Sequence, residues 1–144
     1  MTRRSWLALL VVAGCSSSPL SSGGPDGTYA AQRTPANHNC GNWPTARTIV
    51  INGNSVTVNG IAGTSVHVED VRLDPIEQAG APNVTLTAAE METEAGVSTS
   101  TGSVAYMLWA DGTSIGGRAD AMYQTTPTGG QPVACSMTWS IEPS

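Results

Sequence analysis

The sequence predicts one all-β domain of about eight strands, folded as a single antiparallel up-and-down barrel or as a two-sheet sandwich. A signal-peptide helix and a flexible linker precede it. Three observations predict this. Gly, Thr and Ser are abundant, a composition that favours strands and turns over helices. Asn52-Gly53-Asn54 lies between the β-rich runs Arg47–Ile51 and Ser55–Val58. Asn-Gly in that position is a strong hairpin signal, because both residues tolerate positive φ. The C-terminal segment alternates cleanly: Cys135, Met137, Trp139 and Ile141 face one way, and Ser136, Thr138 and Ser140 the other. That is the pattern of a half-buried antiparallel strand.

The N-terminus has three zones: charged Met1-Thr2-Arg3-Arg4, apolar Trp6–Ala13, then the small pair Ala13-Gly14. This is the layout of a secretory signal. The apolar run falls short of the roughly 20 residues that span a bilayer. Val12-Ala13-Gly14-Cys15 resembles the bacterial lipobox: an apolar residue, two small ones, then cysteine. The resemblance covers about the first twenty residues. It implies a signal peptide over 1–14, cleavage between Gly14 and Cys15, and diacylglycerol on the Cys15 thiol, with acylation of the new amino group. Each buried methylene adds about 0.8 kcal/mol, so two or three acyl chains, palmitate among them, hold a protein firmly. Ser16, rather than aspartate, follows the cysteine. In the family's sorting rule that resembles an outer-membrane signal, so the expected location is the bacterial cell envelope, lipid-anchored, at the outer membrane.

Residues 15–25, including Ser16-Ser17-Ser18-Pro19-Leu20-Ser21-Ser22-Gly23-Gly24-Pro25, have little to bury and read as a tether. The β-domain is expected over 26–144. Asp26–Ala30 reads as a first short strand, and the Pro- and Asn-rich stretch Gln32–Thr45 as a loop carrying Cys40. After the Asn52-Gly53 hairpin, Asn59-Gly60 leads through Ile61-Ala62-Gly63 to Thr64–Glu69. There Val66 and Val68 share one face and His67 and Glu69 the other. Val71 and Leu73 fall on the opposite parity, which predicts a bulge near Glu69-Asp70. Pro75 to Pro82 breaks the pattern. Val84, Leu86 and Ala88 alternate, so Asn83–Met91 reads as a strand, although Thr87-Ala88-Ala89-Glu90 also fits a helix capping box. Val97–Trp109 contains the apolar run Val104–Leu108. Asp111-Gly112 turns the chain, and Thr113–Thr125 returns as a strand in which Gly116-Gly117 suggests a bulge or bend.

Charge narrows the partners. Removing Arg3 and Arg4 with the signal leaves four basic against eleven acidic residues, a net charge of −7. Such a surface repels phosphate backbones and lacks a polybasic patch for lipid heads, so nucleic acid is excluded and membrane contact falls to Cys15. With Cys15 lipidated, Cys40 and Cys135 remain. In an oxidising compartment they permit one disulfide worth about 2–4 kcal/mol. The alternative is a pair of free thiols, which lack C-x-x-C spacing.

Chemistry is sparsely signalled. His67 with Glu69, joined by His38 or Asp70, could ligate zinc, yet no clustered spacing supports it. Glu90, Glu92 and Glu94 repeat at period two. They form either an acidic ridge for calcium or a basic partner, or a solvated face. Only two histidines are present to serve as a base for a nucleophile, and without lysine there is no Schiff-base chemistry. No catalytic residue, cofactor or metal site is therefore expected. Trp43 either packs with Trp139 around the disulfide or stands at a barrel mouth as a ligand contact. The architecture resembles that of small β-barrel lipoproteins that inhibit host lysozymes, although their signature segments are not evident. The expected function is an envelope-anchored, non-catalytic domain for binding or protein interaction, with an unknown envelope or extracellular protein as partner. The alternative is a carrier of a small apolar ligand in a barrel cavity. A hydrolase is the weakest reading.

Replacement of Cys15 tests the anchor: Cys15→Ser is expected to abolish lipid on the mature N-terminus and move the protein from the membrane to the soluble fraction, read by mass spectrometry and fractionation.

Overall fold

The computed structural model describes residues 24–36, 43–70 and 81–144. Within them the chain forms β1 Gly27–Pro35, β2 Ala46–Asn52, β3 Ser55–Val58, β4 Ile61–Ala62, β5 Thr64–Val68, β6 Val84–Glu94, β7 Ser98–Ala110, β8 Ile115–Pro127 and β9 Val133–Pro143. The described residues contain no helix, and every strand pairing among them is antiparallel. The signal peptide and most of the tether lie outside the described residues.

The strands form one sheet in the order β4-β3-β2-β1-β9-β8-β7-β6-β5. Only Gly63 separates the two edge strands. Ile61–Val68 is thus in effect one strand that leaves β3 and joins β6, which brings the sheet round to a nearly closed barrel with eight strand positions. The corner is tight at Gly63. Its N–H donates to the Val56 carbonyl at 2.8 Å, and a Cβ there would stand 2.5 Å from Leu86 Cδ1. Closure leaves no long edge for strand addition.

Period-two alternation fills the barrel. Tyr29 and Ala31, Ile49 and Ile51, Val84 with Leu86 and Ala88, Val104 with Tyr106 and Leu108, and Met137 with Trp139 and Ile141 all point inward and are buried. Val66 and Val68 pack against this core from β5, as their shared parity predicts. The two barrel ends differ. At the near end lie Gly24–Asp26, where the chain enters, the turns at Gly53-Asn54 and Gly112-Thr113, and the C-terminus. The far end carries the β1–β2 loop, the β6–β7 hairpin and the β8–β9 loop. There the exposed residues from Met91 to Val97 project beyond the lumen, tied to the neighbouring loop by Thr128 N–H donating to the Val97 carbonyl at 2.8 Å.

Several expectations change. β1 runs on to Pro35 rather than ending at Ala30. Arg33 continues the inward parity of Tyr29 and Ala31, and Arg33, Thr34 and Pro35 pair with Ile141, Ser140 and Trp139 of β9. The irregularity in β5 falls between Thr64 and His67, with Ser65 at φ 52°, where the strand turns onto β6, and not at Glu69-Asp70. Val71 and Leu73 lie outside the described residues. Thr87–Glu90 is strand, because Ala88 and Glu90 continue the inward row of Val84 and Leu86. Gly116-Gly117 makes no bulge, since the β7–β8 register runs unbroken through Trp109↔Gly116 and Leu108↔Gly117. The glycines serve close approach instead. A Cβ on Gly116 would lie 2.5 Å from the Trp109 ring, and Gly117 has φ 134° with the Met107 carbonyl at 2.2 Å from a would-be Cβ.

Gly117→Ala combines a forbidden φ with a backbone clash, so it is expected to lower the stability to chemical denaturation by about 2 kcal/mol or more, with the cooperative transition retained.

Candidate functional site

The inward rows do not stay apolar to their ends. Tyr29 and Ala31 are followed by Arg33 on β1, Ile49 and Ile51 are preceded by Arg47 on β2, and Leu86 and Ala88 are followed by Glu90 on β6. All three charges therefore enter the lumen toward its far end. Arg33 is 1 % exposed and Arg47 6 %. Glu90 receives both. Its Oε2 accepts from Arg33 Nη1 and Arg47 Nη2, each at 3.0 Å, and its Oε1 accepts from Arg33 Nη1 at 3.0 Å. The Tyr106 hydroxyl on β7 donates to Oε1 at 2.7 Å, and that of Tyr123 on β8 to Oε2 at 3.3 Å. One carboxylate thus gathers groups from four other strands.

The arginines also hold the loop that covers them. Arg33 Nε donates to the Pro44 carbonyl at 2.9 Å, and its backbone N–H to the Thr45 carbonyl at 2.9 Å. Its guanidinium lies 4.1 Å from the centre of the Trp139 ring, a cation–π contact in a dry site. Trp43 stacks on Tyr123, with ring centroids 3.8 Å apart and planes 18° from parallel. At 8 % exposure it caps the far end of the barrel.

Among the described residues three buried side-chain donors have no hydrogen-bond partner: Arg33 Nη2, Arg47 Nε and Trp139 Nε1. The Trp139 indole is near enough to the Tyr123 hydroxyl to favour its phenolate, yet lies outside hydrogen-bond geometry. Burial, and then the Glu90 charge, push the Tyr106 and Tyr123 hydroxyls well above the usual phenol range. Both remain neutral donors, so the buried set carries two guanidinium charges against one carboxylate. A cavity of about 210 Å³ opens beside it, lined by Trp43, Arg47, Val58, Asn59, Ile61 and Ala88, with Glu90 and Glu92.

At the near end a second cavity of about 420 Å³ touches Asp26, Asp70 and Asp111. Two of these carboxylates serve turns. Asp26 accepts from Gly53 N–H at 2.9 Å. Asp111 accepts from the Thr113 and Ser114 N–H groups at 2.8 and 2.7 Å and from the Thr113 hydroxyl at 2.8 Å. Partial burial works to raise the Asp111 pKa, but these donors outweigh it and hold the carboxyl below its usual range.

The residues singled out from sequence fall differently. Trp43 stands at the barrel mouth and on the cluster at once. Cys135 faces inward beside Tyr123, its cross-strand partner, and is disulfide-bonded. Its expected partner Cys40 lies outside the described residues, as do Gly14, Cys15 and His38. His67 and Glu69 form an exposed pair at 2.8 Å, and the described residues contain no group of three His, Cys, Asp or Glu side chains able to hold a metal ion. Glu90, Glu92 and Glu94 share a face, but Glu90 is drawn into the barrel while Glu92 and Glu94 are exposed, so they are not one ridge. Sequence reasoning missed Arg33, Arg47 and Glu90 as a unit. The signal was present in their parity, since each extends an inward apolar row by two residues.

Comparison with protein-family models, with characterised proteins and with solved structures finds no match.

Glu90→Gln leaves two buried guanidiniums without a counter-charge and is expected to cost about 3–5 kcal/mol in chemical denaturation. Alkali provides a second check. A raised folded-state tyrosine pKa means that the unfolded chain releases its protons first. The stabilisation is whole below the ordinary phenol value of 10.0 and is lost as pH climbs above it toward the folded values. Phenolate absorbance from Tyr106 and Tyr123 is therefore expected to appear together with loss of the β-sheet circular dichroism signal, not before it.

Proposed function

We propose that this chain is an exported bacterial lipoprotein, anchored in the cell envelope by lipid on Cys15, whose barrel is a non-catalytic module that meets a cationic protein partner. The filled lumen carries this reading. Aliphatic and aromatic side chains occupy the middle of the barrel and an ion-paired cluster its far end, a poor lining for the apolar cargo of a carrier. The business of the domain then falls to its exterior.

Two features of that exterior support a basic partner. The tether leads into the near end, which turns the far end, with its projecting β6–β7 hairpin, away from the membrane. Burial of Arg33 and Arg47 also takes two of the three described arginines off the surface. Among the described residues Arg118 is the remaining basic side chain, and it is paired with Asp120 at 2.9 Å. Against it stand Asp26, Glu69, Asp70, Glu92, Glu94, Asp111 and Glu142. A field of one sign raises the encounter rate with a partner of the other and opposes nucleic acid. A Cys40–Cys135 bridge, formed in the oxidising envelope, would fasten the Trp43 loop across the far end and keep that surface in one shape.

Photo-crosslinkers placed at Val97, on the far hairpin, and at Thr113, on the near turn, test the proposal in intact cells. A discrete protein adduct from Val97 that fades with added salt and with Glu92→Gln and Glu94→Gln together is the expected result. Failure of both positions to capture a protein overturns it. So does a native mass spectrum of the full chain carrying an apolar ligand that leaves on denaturation, which assigns the carrier role instead.

A further inference from the structure

The cluster around Glu90 is short of acceptors, and the shortage has a sign. Both carboxylate oxygens are taken, by two guanidiniums and two tyrosine hydroxyls. The unpartnered atoms left in the cluster are all donors: Arg33 Nη2, Arg47 Nε and Trp139 Nε1. Buried donors without partners are uncommon in folded proteins, because each forfeits its hydration with nothing in exchange. The charge is unbalanced in the same direction, with two cations, one anion and neutral tyrosines. Water can supply an acceptor but not a charge.

The neighbouring cavity answers both needs. Arg47, 6 % exposed, lines it, while Trp43, Val58, Ile61 and Ala88 give it apolar walls. Its volume of about 210 Å³ suits a compact organic molecule. Glu90, its oxygens already taken, lines the cavity beside Arg47, and Glu92 stands exposed there too, so a doubly charged anion meets repulsion that the one excess positive charge of the cluster does not overcome.

We infer that this far-end cavity is a binding site for a small organic monocarboxylate, its carboxylate taken by the unpaired Nε of Arg47 and its apolar body lying against Trp43. The site is independent of the lipid anchor and of any protein partner.

Benzoate is the probe, benzamide its uncharged isostere and sulfate the dianion, each titrated into the full chain in non-ionic detergent. The side-chain N–H resonances of Trp43 and Arg47 are followed by NMR, with tryptophan fluorescence in parallel. Saturable shifts at both residues with benzoate, at least roughly tenfold weaker binding of benzamide and no effect of sulfate are expected. Unmoved resonances, equal binding of benzamide, or sulfate acting as benzoate does would overturn the inference. Ala88→Leu, which fills the cavity without removing a charge, is expected to abolish the benzoate response while a cooperative melt is kept. A full response in that variant would also overturn it. Should the variant fail to fold, the acid-against-amide comparison on the unaltered chain still decides.

Discussion

One carboxylate holds the barrel together across its diameter. Counting round the ring, β1 and β6 are four strands apart in either direction, and Glu90 on β6 accepts from Arg33 on β1 at 3.0 Å. It accepts as well from Arg47, Tyr106 and Tyr123, so groups on opposite sides of the lumen converge on a single charge. Desolvation of three ionised groups offsets much of their attraction, so the cluster is a weak source of net stability. Its effect is geometric. Any slip of β1, β2 or β6 by one residue turns its charged member outward and strands the others in an apolar interior.

That constraint propagates to the loop above. Arg33 donates to the Pro44 carbonyl from its side chain and to the Thr45 carbonyl from its backbone, which brings Trp43 down onto Tyr123. Tyr123 in turn pairs across the strands with Cys135. The far end is therefore closed by an aromatic stack above an ion pair. The near end is held by turn chemistry alone, the Asp111 and Asp26 carboxylates on backbone amides and the Tyr29 hydroxyl bridging Gly112 and Pro25. The two ends are different devices, one rigid and cationic within, the other solvated and acidic.

The same burial divides the charge of the molecule. Two of the few basic residues lie inside, both paired with Glu90, and among the described residues the exterior keeps Arg118 against seven carboxylates besides its partner Asp120, so it is predominantly acidic. Barrel interior and surface thus carry opposite signs, separated by the thickness of the sheet. A small monocarboxylate on the inside and a cationic protein on the outside are the two chemistries that this separation favours.

Much was legible from alternation alone. The hairpin at Asn52-Gly53, the two-faced C-terminal strand and the shared face of Val66 and Val68 follow from a period of two and from which residues tolerate positive φ, both local properties. In the folded chain the same parity carries Arg33, Arg47 and Glu90 to the inner face, although the sequence reads Arg33 as part of a loop. What parity cannot state is that they meet, since Arg33 and Glu90 are 57 residues apart and Arg47 and Glu90 are 43 apart. Their meeting depends on closure, which depends on Gly63 passing the chain from β3 to β6 against Leu86. The bulge expected at Gly116-Gly117 is absent for the same reason: a glycine pair can mark close approach instead, but only the fold brings Trp109 onto it. The sequence by itself determined most strands and their apolar faces, because those are set within a few residues. Only the tertiary structure decided which charges share one lumen and which donors are left over, because those depend on how the ring of strands closes.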